Sequence, residues 1–291
     1  MQRRKFTYPI YLVLPALLFF FVFFIIPTFE GFYYSFTDWN TYAPTIHRIG
    51  FRNFKELVQE GILPHALANT LIYALFTTIL LNLVGLILAL ALNEVKILGG
   101  FFRTIFYVPV VIAPLIVGYI FKAIYNPTFG LLNKTLTMLG MGALTHSWLS
   151  DFNTALFAII ATEIWKDSGF NMIIYLSGIK AVNKDLLEQA RVDGASYLQR
   201  VHHILLPLIA STFTVNLLVS MISSLKVFEI VLVLTGGGPG FETEVINTFV
   251  YRKFASGNWG YASAAGFLQT IIIALITFVM LRFLKKREVS L

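Results

Sequence analysis

The chain has 291 residues, 57% of them hydrophobic and only 13% charged, with a formal net charge of +7, no cysteine and a mean hydropathy of +0.75. Soluble domains carry about 25% charged residues, and a soluble chain of this length could not bury so much apolar surface, so the composition predicts an integral membrane protein. It excludes a soluble enzyme, a coiled coil and a disordered chain, and the absence of cysteine excludes disulfides, iron–sulfur clusters, thiolate zinc sites and a cysteine nucleophile.

Six segments are long and apolar enough to cross a membrane, since a transmembrane helix needs about 20 mostly apolar residues. In chain order they are approximately 10–29, 69–92, 104–125, 154–177, 206–235 and 262–281. The first is longer than a signal-peptide core and has no cleavage site after it, so we interpret it as a retained helix. The sequence shows no tandem repeat and no low-complexity linker. It predicts an all-α, polytopic membrane protein with a single transmembrane domain over residues 1–291.

Lysine and arginine are distributed unequally between the two sets of connecting segments. If the N-terminus is cytoplasmic, the cytoplasmic segments carry thirteen of the 22 basic residues, the outer segments carry six, and three lie in the spans. Because cytoplasmic segments are enriched in Lys and Arg, this places both termini in the cytoplasm and explains the positive charge without nucleic acid. The cytoplasmic basic residues are Arg3, Arg4, Lys5, Lys96, Arg103, Lys180, Lys184, Arg191, Arg200, Arg282, Lys285, Lys286 and Arg287.

The outer segments are long but carry no catalytic signal. Residues 30–68 include an amphipathic stretch near Phe51–Leu57 that predicts a short helix. Residues 236–261 begin with a glycine-rich run that lacks a following Lys-Ser/Thr, so we interpret it as a turn and expect the chain not to hydrolyse ATP. The adjacent His202 and His203 lack metal-ligand spacing, and we predict no catalytic residue, metal or cofactor.

The longest cytoplasmic segment, about 178–207, carries the clearest local signals. Asn183 is a predicted N-cap, and Asp185 then falls in the first turn, where the helix dipole favours an acid. Gly194 predicts the end or bend of this helix, and Ser196 followed by Gln199 has the capping-box pattern of a second helix. Pro207 suits the first turn of the fifth span.

This segment has two interpretations. The residues Leu187, Ala190, Gly194, Leu198 and Val201 recur at three- and four-residue spacing, which predicts one shared helical face. The segment could lie on the membrane surface as a solvated amphipathic loop, or it could bind a cytoplasmic partner. Two capped helices joined at a glycine favour the partner, because small residues let another surface approach the backbone closely.

The same segment resembles the EAA loop of ABC importer permeases. Glu188-Gln189-Ala190, Gly194 and Ile204-Leu205-Leu206-Pro207 have the spacing of that motif, with Gln189 where Ala is most common. Other motifs are similar to the carbohydrate-uptake branch of the family, which includes maltose and glycerol-phosphate permeases. They are Trp165-Lys166, Gly169-Phe170-Asn171-Met172, Leu234-Thr235-Gly236-Gly237-Gly238-Pro239 and Gly260-Tyr261-Ala262-Ser263-Ala264.

The resemblance implies a fold and a set of partners. The fold is that of a type I ABC importer permease in the inner (plasma) membrane, usually paired with a different EAA-loop permease. A dimer of cytoplasmic ATP-binding subunits drives transport, and an extracytoplasmic solute-binding protein delivers a sugar, oligosaccharide or polyol derivative. Closure of the ATPase dimer would move the loop and reopen the path outward. The ATPase-coupling residues implied are Glu188, Ala190, Gly194 and Ala195, with Arg191 and Asp193 beside them.

Ionisable residues lie within the fourth and fifth spans, where they are costly unless they face a partner or a cavity. Glu163, Lys166 and Asp167 share one helical face, and Lys226 and Glu229 are three apart, so pairing that neutralises them is the simpler interpretation. The alternative is a polar path for a sugar, which requires hydrogen-bonding groups and an aromatic face. The candidate path residues are Trp165, Asn171, Asn216, Ser220, Ser223 and Phe228.

Two other functions remain open on the sequence. A secondary transporter driven by an ion gradient would use Glu163, Asp167 or Glu229 as its ion site, but it leaves the capped loop unexplained. A membrane-embedded enzyme acting on lipid would need Glu163 and Asp167 as its acid–base pair, and no catalytic motif supports it. The sequence does not identify the transported solute or the partner permease.

Overall fold

The computed structural model describes residues 10–95 and 97–285. Several basic residues used for the predicted orientation lie outside the described residues, namely Arg3, Arg4, Lys5, Lys96, Lys286 and Arg287. Within the described ranges the chain is helical, and its one β-type pairing is an isolated bridge between Thr37 and Arg48. The predicted all-α class is confirmed.

The helices follow one another with mostly short connections. The helices Leu14–Tyr34 and Tyr197–Leu208 each contain a five-residue π-helical turn, at Phe21–Ile25 and Val201–Leu205. In chain order the helices are α1 (Leu14–Tyr34), α2 (Arg52–Gln59), α3 (Ile62–Glu94), α4 (Gly99–Val111), α5 (Pro114–Ile124), α6 (Leu131–Met138), α7 (Ala155–Ala181), α8 (Lys184–Val192), α9 (Tyr197–Leu208), α10 (Ala210–Leu225), α11 (Glu229–Leu234), α12 (Ile246–Ala255) and α13 (Trp259–Lys285).

Three helices, α1, α3 and α13, are long and apolar enough to cross a membrane by themselves. Two bent pairs pass the same test together: α4 with α5, bent by 96°, and α9 with α10, bent by 71°. The third predicted span is therefore two helices. Its break follows from proline: Pro109 lies inside α4, and Ala113, which precedes Pro114, is extended because a residue before proline disfavours the helical conformation.

The fourth and fifth predicted spans also differ from uniform apolar helices. α7 has 27 residues, about 40 Å at 1.5 Å per residue, which exceeds the hydrocarbon thickness of about 30 Å. It carries Glu163, Lys166, Asp167 and Lys180, so it is less apolar than the other long helices. The fifth span, predicted at 206–235, is interrupted again after α10, and α11 begins only at Glu229.

The described chain separates into two compact units. Unit 1 comprises the described residues up to 60 together with 250–269, and unit 2 comprises 61–249 together with the described residues from 270 onward. In unit 1 the side chain of Asn53 donates to the carbonyls of Ser35 and Thr37, each at 2.9 Å. These two bonds fix α2, the short helix predicted near Phe51–Leu57. The single transmembrane domain stays a prediction.

Unit 2 is built around α3 and α7, which pack along each other, with α10 against α3, α4 against α7 and α5 against α11. One buried apolar cluster includes Tyr73, Val117 and Ile159. A second cluster includes Met172 and Tyr175 and is contacted by residues of α8 and α9. The core of unit 2 therefore reaches from the long helices to the helices of the predicted EAA loop.

Candidate functional site

The helix α8 begins as the sequence predicts. The side-chain oxygen of Asn183 accepts a hydrogen bond of 3.0 Å from the backbone N–H of Asp185. This bond satisfies a donor that the first helical turn leaves unpaired, and Asp185 places negative charge at the positive end of the helix dipole. The predicted N-cap and first-turn acid are both confirmed.

The helix α8 ends at Val192, Gly194 follows two residues later, and α9 begins at Tyr197. Gly194 has a φ of +86°, and the N–H of Ala195 donates to the carbonyl of Ala190 at 2.9 Å. This left-handed helix ending favours glycine, which has no Cβ. The N–H of Ser196 donates to the side chain of Gln199 at 2.8 Å, and the N–H of Gln199 donates back to the Ser196 hydroxyl at 3.4 Å. The capping box is therefore present, as predicted.

The predicted coupling residues form one surface around this bend. Glu188, Arg191, Asp193 and Gly194 are exposed, and Ala190 and Ala195 are half-buried. Two apolar side chains flank them, Val192 with 87% of its surface exposed and Leu198 with 74%. We call the segment 183–200 the coupling surface. It presents small, charged and apolar groups together on one exposed segment.

The prediction that the evenly spaced residues of this segment share one helical face is wrong. Leu187 and Val201 pack against the cluster around Tyr175, whereas Gly194 and Leu198 are exposed. The left-handed residue at Gly194 changes the chain direction, so a three- and four-residue spacing does not continue from α8 into α9. These two half-buried residues anchor the coupling surface to the core, and the exposed ones remain available to a partner.

Three of the six candidate path residues meet in a buried cluster between α7 and α10. The Ser220 hydroxyl donates to the side-chain oxygen of Asn171 at 2.8 Å, and the Asn216 amide donates to the Asn171 carbonyl at 3.4 Å. Beside them the Tyr175 hydroxyl donates to Asn82 at 2.6 Å. Asn82 is not among the candidate path residues, although it is one of the few polar residues in an otherwise apolar span. Hydrogen bonds of this kind join helices within a membrane.

The other three candidate path residues lie apart from that cluster. Trp165 and Ser223 are exposed, and Phe228 is half-buried. The Trp165 ring contacts the Phe121 ring, with 5.1 Å between their centroids. The role of these residues in a sugar path stays a prediction.

The charged residues of the spans pair only in part. Lys166, with 7% of its surface exposed, forms an ion pair with Asp167. Lys226 and Glu229 are both exposed, and they do not form an ion pair with each other in the described part of the chain. The expected pairing fails because α10 ends at Leu225 and α11 begins at Glu229, so the two residues do not belong to one helix.

The glycine-rich run forms a turn, as predicted, and a side chain that follows it and side chains of α3 hold it in place. The Thr243 hydroxyl donates to the Gly238 carbonyl at 2.6 Å. From α3, the Asn69 amide donates to the carbonyls of Glu242 and Glu244 at 2.8 and 3.1 Å, and the Thr70 hydroxyl accepts from the N–H of Ile246. In residues 10–95 and 97–285, no three His, Asp or Glu side chains are grouped to hold a metal ion.

Comparison with known proteins assigns the family. Residues 81–289 match the family described as the binding-protein-dependent transport system inner membrane component. The chain belongs to this family. A probable ABC transporter permease of Bacillus subtilis (strain 168), YurN, is 35% identical over 94% of this chain and 95% of its own length. A probable permease of a starch degradation products transport system, AmyD of Thermoanaerobacterium thermosulfurigenes, is 32% identical over 96% of this chain and 94% of its own length.

Solved structures give the same fold. A chain of a bacterial ABC transporter involved in the import of the acidic polysaccharide alginate is similar to this permease with a TM-score of 0.83 and 29% identity, covering 94% of both chains. The same kind of transporter, in complex with an alginate pentasaccharide-bound periplasmic protein, matches with a TM-score of 0.81 and 28% identity over 92% of this chain and 91% of that chain. The permease fold expected from the EAA motif is confirmed. This permease is a multi-pass membrane subunit that works with a solute-binding protein and ATPase subunits.

Proposed function

We propose that this permease forms, with a second EAA-loop permease, the membrane path of an importer for a sugar, oligosaccharide or polyol derivative. The relatives named above support a carbohydrate, since one belongs to a starch-product system and the similar structures belong to an alginate importer. The observation that carries the proposal is the coupling surface: two capped helices, joined at an exposed left-handed glycine, with charged side chains that have no ion-pair partner among the described residues.

The coupling surface is built to transmit a displacement. Leu187 of α8 and Val201 of α9 pack on a core that contains Tyr175 of α7 and Ile209 between α9 and α10. A push on α8 by an ATP-binding subunit therefore reaches α7 and α10 through packed side chains, because packed interiors are not easily compressed. We infer that Glu188, Ala190, Gly194 and Ala195 contact the ATPase and that Arg191 and Asp193 flank the contact.

The proposed orientation places the coupling surface in the cytoplasm together with both termini. The segments 30–68 and 236–261 then lie outside, where the solute-binding protein docks. We propose that the second permease is a different chain. It covers exposed side chains such as Trp165 and Ser223, and the sugar passes between the two subunits. Membership of the ABC permease family leaves the ion-driven transporter without support, and Asp167, one of its proposed ion ligands, is paired with Lys166.

Site-directed cross-linking tests this proposal. The chain contains no cysteine, so Glu188→Cys introduces a single thiol on the coupling surface. In membranes from the native host, a thiol-to-amine cross-linker is expected to join Glu188→Cys to the ATP-binding subunit. Lys134→Cys is the matched control, because Lys134 is also exposed on a short helix but lies on the proposed outer side. Equal cross-linking of both variants, or of neither, would contradict the proposal.

A further inference from the structure

Unit 1 contains an open polar cleft between the segments 37–60 and 253–261. Its volume is about 330 Å³, at the lower end of the range of small-molecule sites, roughly 300–1,000 Å³. Trp39, Asn40, Asn258 and Tyr261 line it, together with five charged side chains. None of these residues belongs to the coupling surface or to the buried cluster of unit 2, so the transport function described so far leaves the cleft unassigned.

The walls of this cleft are held together backbone to backbone. The N–H of Thr41 donates to the Gly257 carbonyl at 2.9 Å, and the N–H of Gly260 donates to the Trp39 carbonyl at 2.8 Å. A Cβ on Gly260 would collide with the carbonyl oxygen of Thr37. This contact gives a physical reason for glycine at the first position of the 260–264 motif. The cleft is therefore preformed, and a ligand loses little affinity to ordering its walls.

The charged groups of the cleft are paired with one another. The Arg52 guanidinium lies 2.7 Å from the Glu56 carboxylate, and the Lys253 ammonium lies 3.0 Å from the Glu60 carboxylate. Asp38 accepts from the backbone N–H of His47 at 2.7 Å, and its second oxygen lies 3.2 Å from the His47 ring. These five charged side chains therefore offer many donors and acceptors, and their net charge is only −1, which Asp38 carries.

Two of the three carboxyl groups of the cleft, those of Asp38 and Glu60, remain ionised. The backbone N–H of His47 is the main cause that lowers the pKa of Asp38 from its ordinary value. Partial burial acts to raise the pKa of Glu60, but hydrogen bonds from Tyr261 and Lys253 and the charge of Lys253 lower it overall. Both groups thus act as acceptors at neutral pH.

An aromatic ring joins the polar and charged groups that line the cleft. The Trp39 ring lies 4.2 Å from the Tyr34 ring and 4.8 Å from the Trp259 ring, centroid to centroid, so its position in the wall is fixed. The Lys253 ammonium lies 4.9 Å from the centroid of the Tyr261 ring. Paired charged groups, amides and a fixed indole together suit a ligand with many hydroxyl groups, an apolar ring face and no net charge.

We propose that this cleft binds one unit of a neutral sugar on the outer side of the membrane. The proposal rests on the proposed sugar-importer function and its orientation, and adds a binding subsite within the permease, separate from the path between subunits. A sugar is favoured over a charged loop of the solute-binding protein because four of the five charged groups of the cleft already form two ion pairs and Asp38 is hydrogen-bonded to His47.

Thiol protection tests the subsite directly. Asn258→Cys places a single thiol in the cleft of the otherwise cysteine-free chain, and Ser256→Cys is the matched control, exposed two residues away and outside the lining. The transporter complex is purified in mild detergent without ATP. The rate of maleimide labelling is then measured in the presence of one trisaccharide at a time (maltotriose, cellotriose, xylotriose or chitotriose), or of glycerol. At least one trisaccharide is expected to slow labelling of Asn258→Cys by about tenfold at about ten times its Kd. Glycerol is expected to leave the labelling rate of Asn258→Cys unchanged. No sugar is expected to change the labelling rate of Ser256→Cys.

A second substitution tests the chemistry of the subsite. Trp39→Ala, added to Asn258→Cys, is expected to abolish protection, whereas Trp148→Ala, a half-buried tryptophan of unit 2 outside the lining, leaves it intact. Size-exclusion profiles verify that all variants are folded. Three results would overturn the proposal. They are no protection by any of these trisaccharides, equal protection of Ser256→Cys, or protection that appears only when sugar-free solute-binding protein is added in place of a sugar. Because ATP is absent, a failure of ATPase coupling does not affect this assay. The subsite proposal and the proposed importer function can therefore be rejected independently.

Discussion

A Gly194→Trp variant is expected to insert normally but to lose solute-stimulated ATP hydrolysis and uptake by at least about tenfold. A Cβ at Gly194 meets no atom of this chain within 4 Å, so an indole there projects into the space that the ATP-binding subunit must enter. Disruption at the centre of an interface commonly costs about 2 kcal/mol or more, which exceeds tenfold in affinity. The measurement is ATPase activity and uptake by the reconstituted complex.

The control for that variant is Gly140→Trp. Gly140 has a φ of +74° and also has no atom within 4 Å of a Cβ, so both substitutions carry the same kind of backbone strain, about 1–2 kcal/mol. Gly140 lies in the segment after α6, away from the coupling surface. Similar thermal stability of the two variants, with loss of coupling only at Gly194, is the expected pattern. Full coupling in Gly194→Trp would show that this surface does not meet the ATPase.

A Gly169→Val variant is expected to destabilise unit 2 by about 2–4 kcal/mol. A Cβ on Gly169 of α7 would collide with the carbonyl oxygen of Phe106 on α4 and would lie 3.0 Å from the Cα of Tyr107. Both neighbours are backbone atoms, so only a separation of α4 from α7 can relieve the contact. The measurement is the temperature at which half of the detergent-purified complex loses its monodisperse size-exclusion peak.

Gly100→Val is the matched control for this stability experiment. Gly100 also lies in a helix, but a Cβ there meets no other atom within 4 Å. The intrinsic helix propensities of glycine and valine affect both sites in the same direction, so the difference between the variants measures helix packing. Equal midpoint temperatures for Gly169→Val, Gly100→Val and the unmodified chain would contradict the close approach of α4 and α7.

Local hydrogen bonding explains why the coupling surface could be predicted from the sequence. The Asn183 cap, the Ser196 capping box and the left-handed Gly194 each depend on residues within four positions. Such signals need no knowledge of tertiary structure. The family motif then added the partner that this local geometry could not name.

The breaks within the third and fifth spans could not be predicted in the same way. Hydropathy averages over a window and contains no information about chain direction, and proline is tolerated in many transmembrane helices. Pro109 and Pro114 were visible, but a bend of 96° depends on what packs beside them. Likewise, the spacing of Lys226 and Glu229 suggested a pair only on the assumption of one continuous helix.

The remaining features that the sequence did not predict are contacts between distant parts of the chain. The ion pair between Glu60 and Lys253 joins residues 193 positions apart, and Tyr175 meets Asn82 across 93 positions. No periodicity or motif relates these residues. Which of the candidate path residues are buried, such as Asn171, and which are exposed, such as Trp165, follows from the same tertiary packing.

The composition of the complex is the most direct test of the central claim that this permease serves an ATP-driven sugar importer. The tagged chain is purified from its native host in mild detergent, and the proteins that accompany it are identified by mass spectrometry. The account predicts an ATP-binding subunit and a second, different EAA-loop permease. Recovery of the chain alone or as a homo-oligomer, with the ATP-binding subunit absent even after cross-linking, would contradict it.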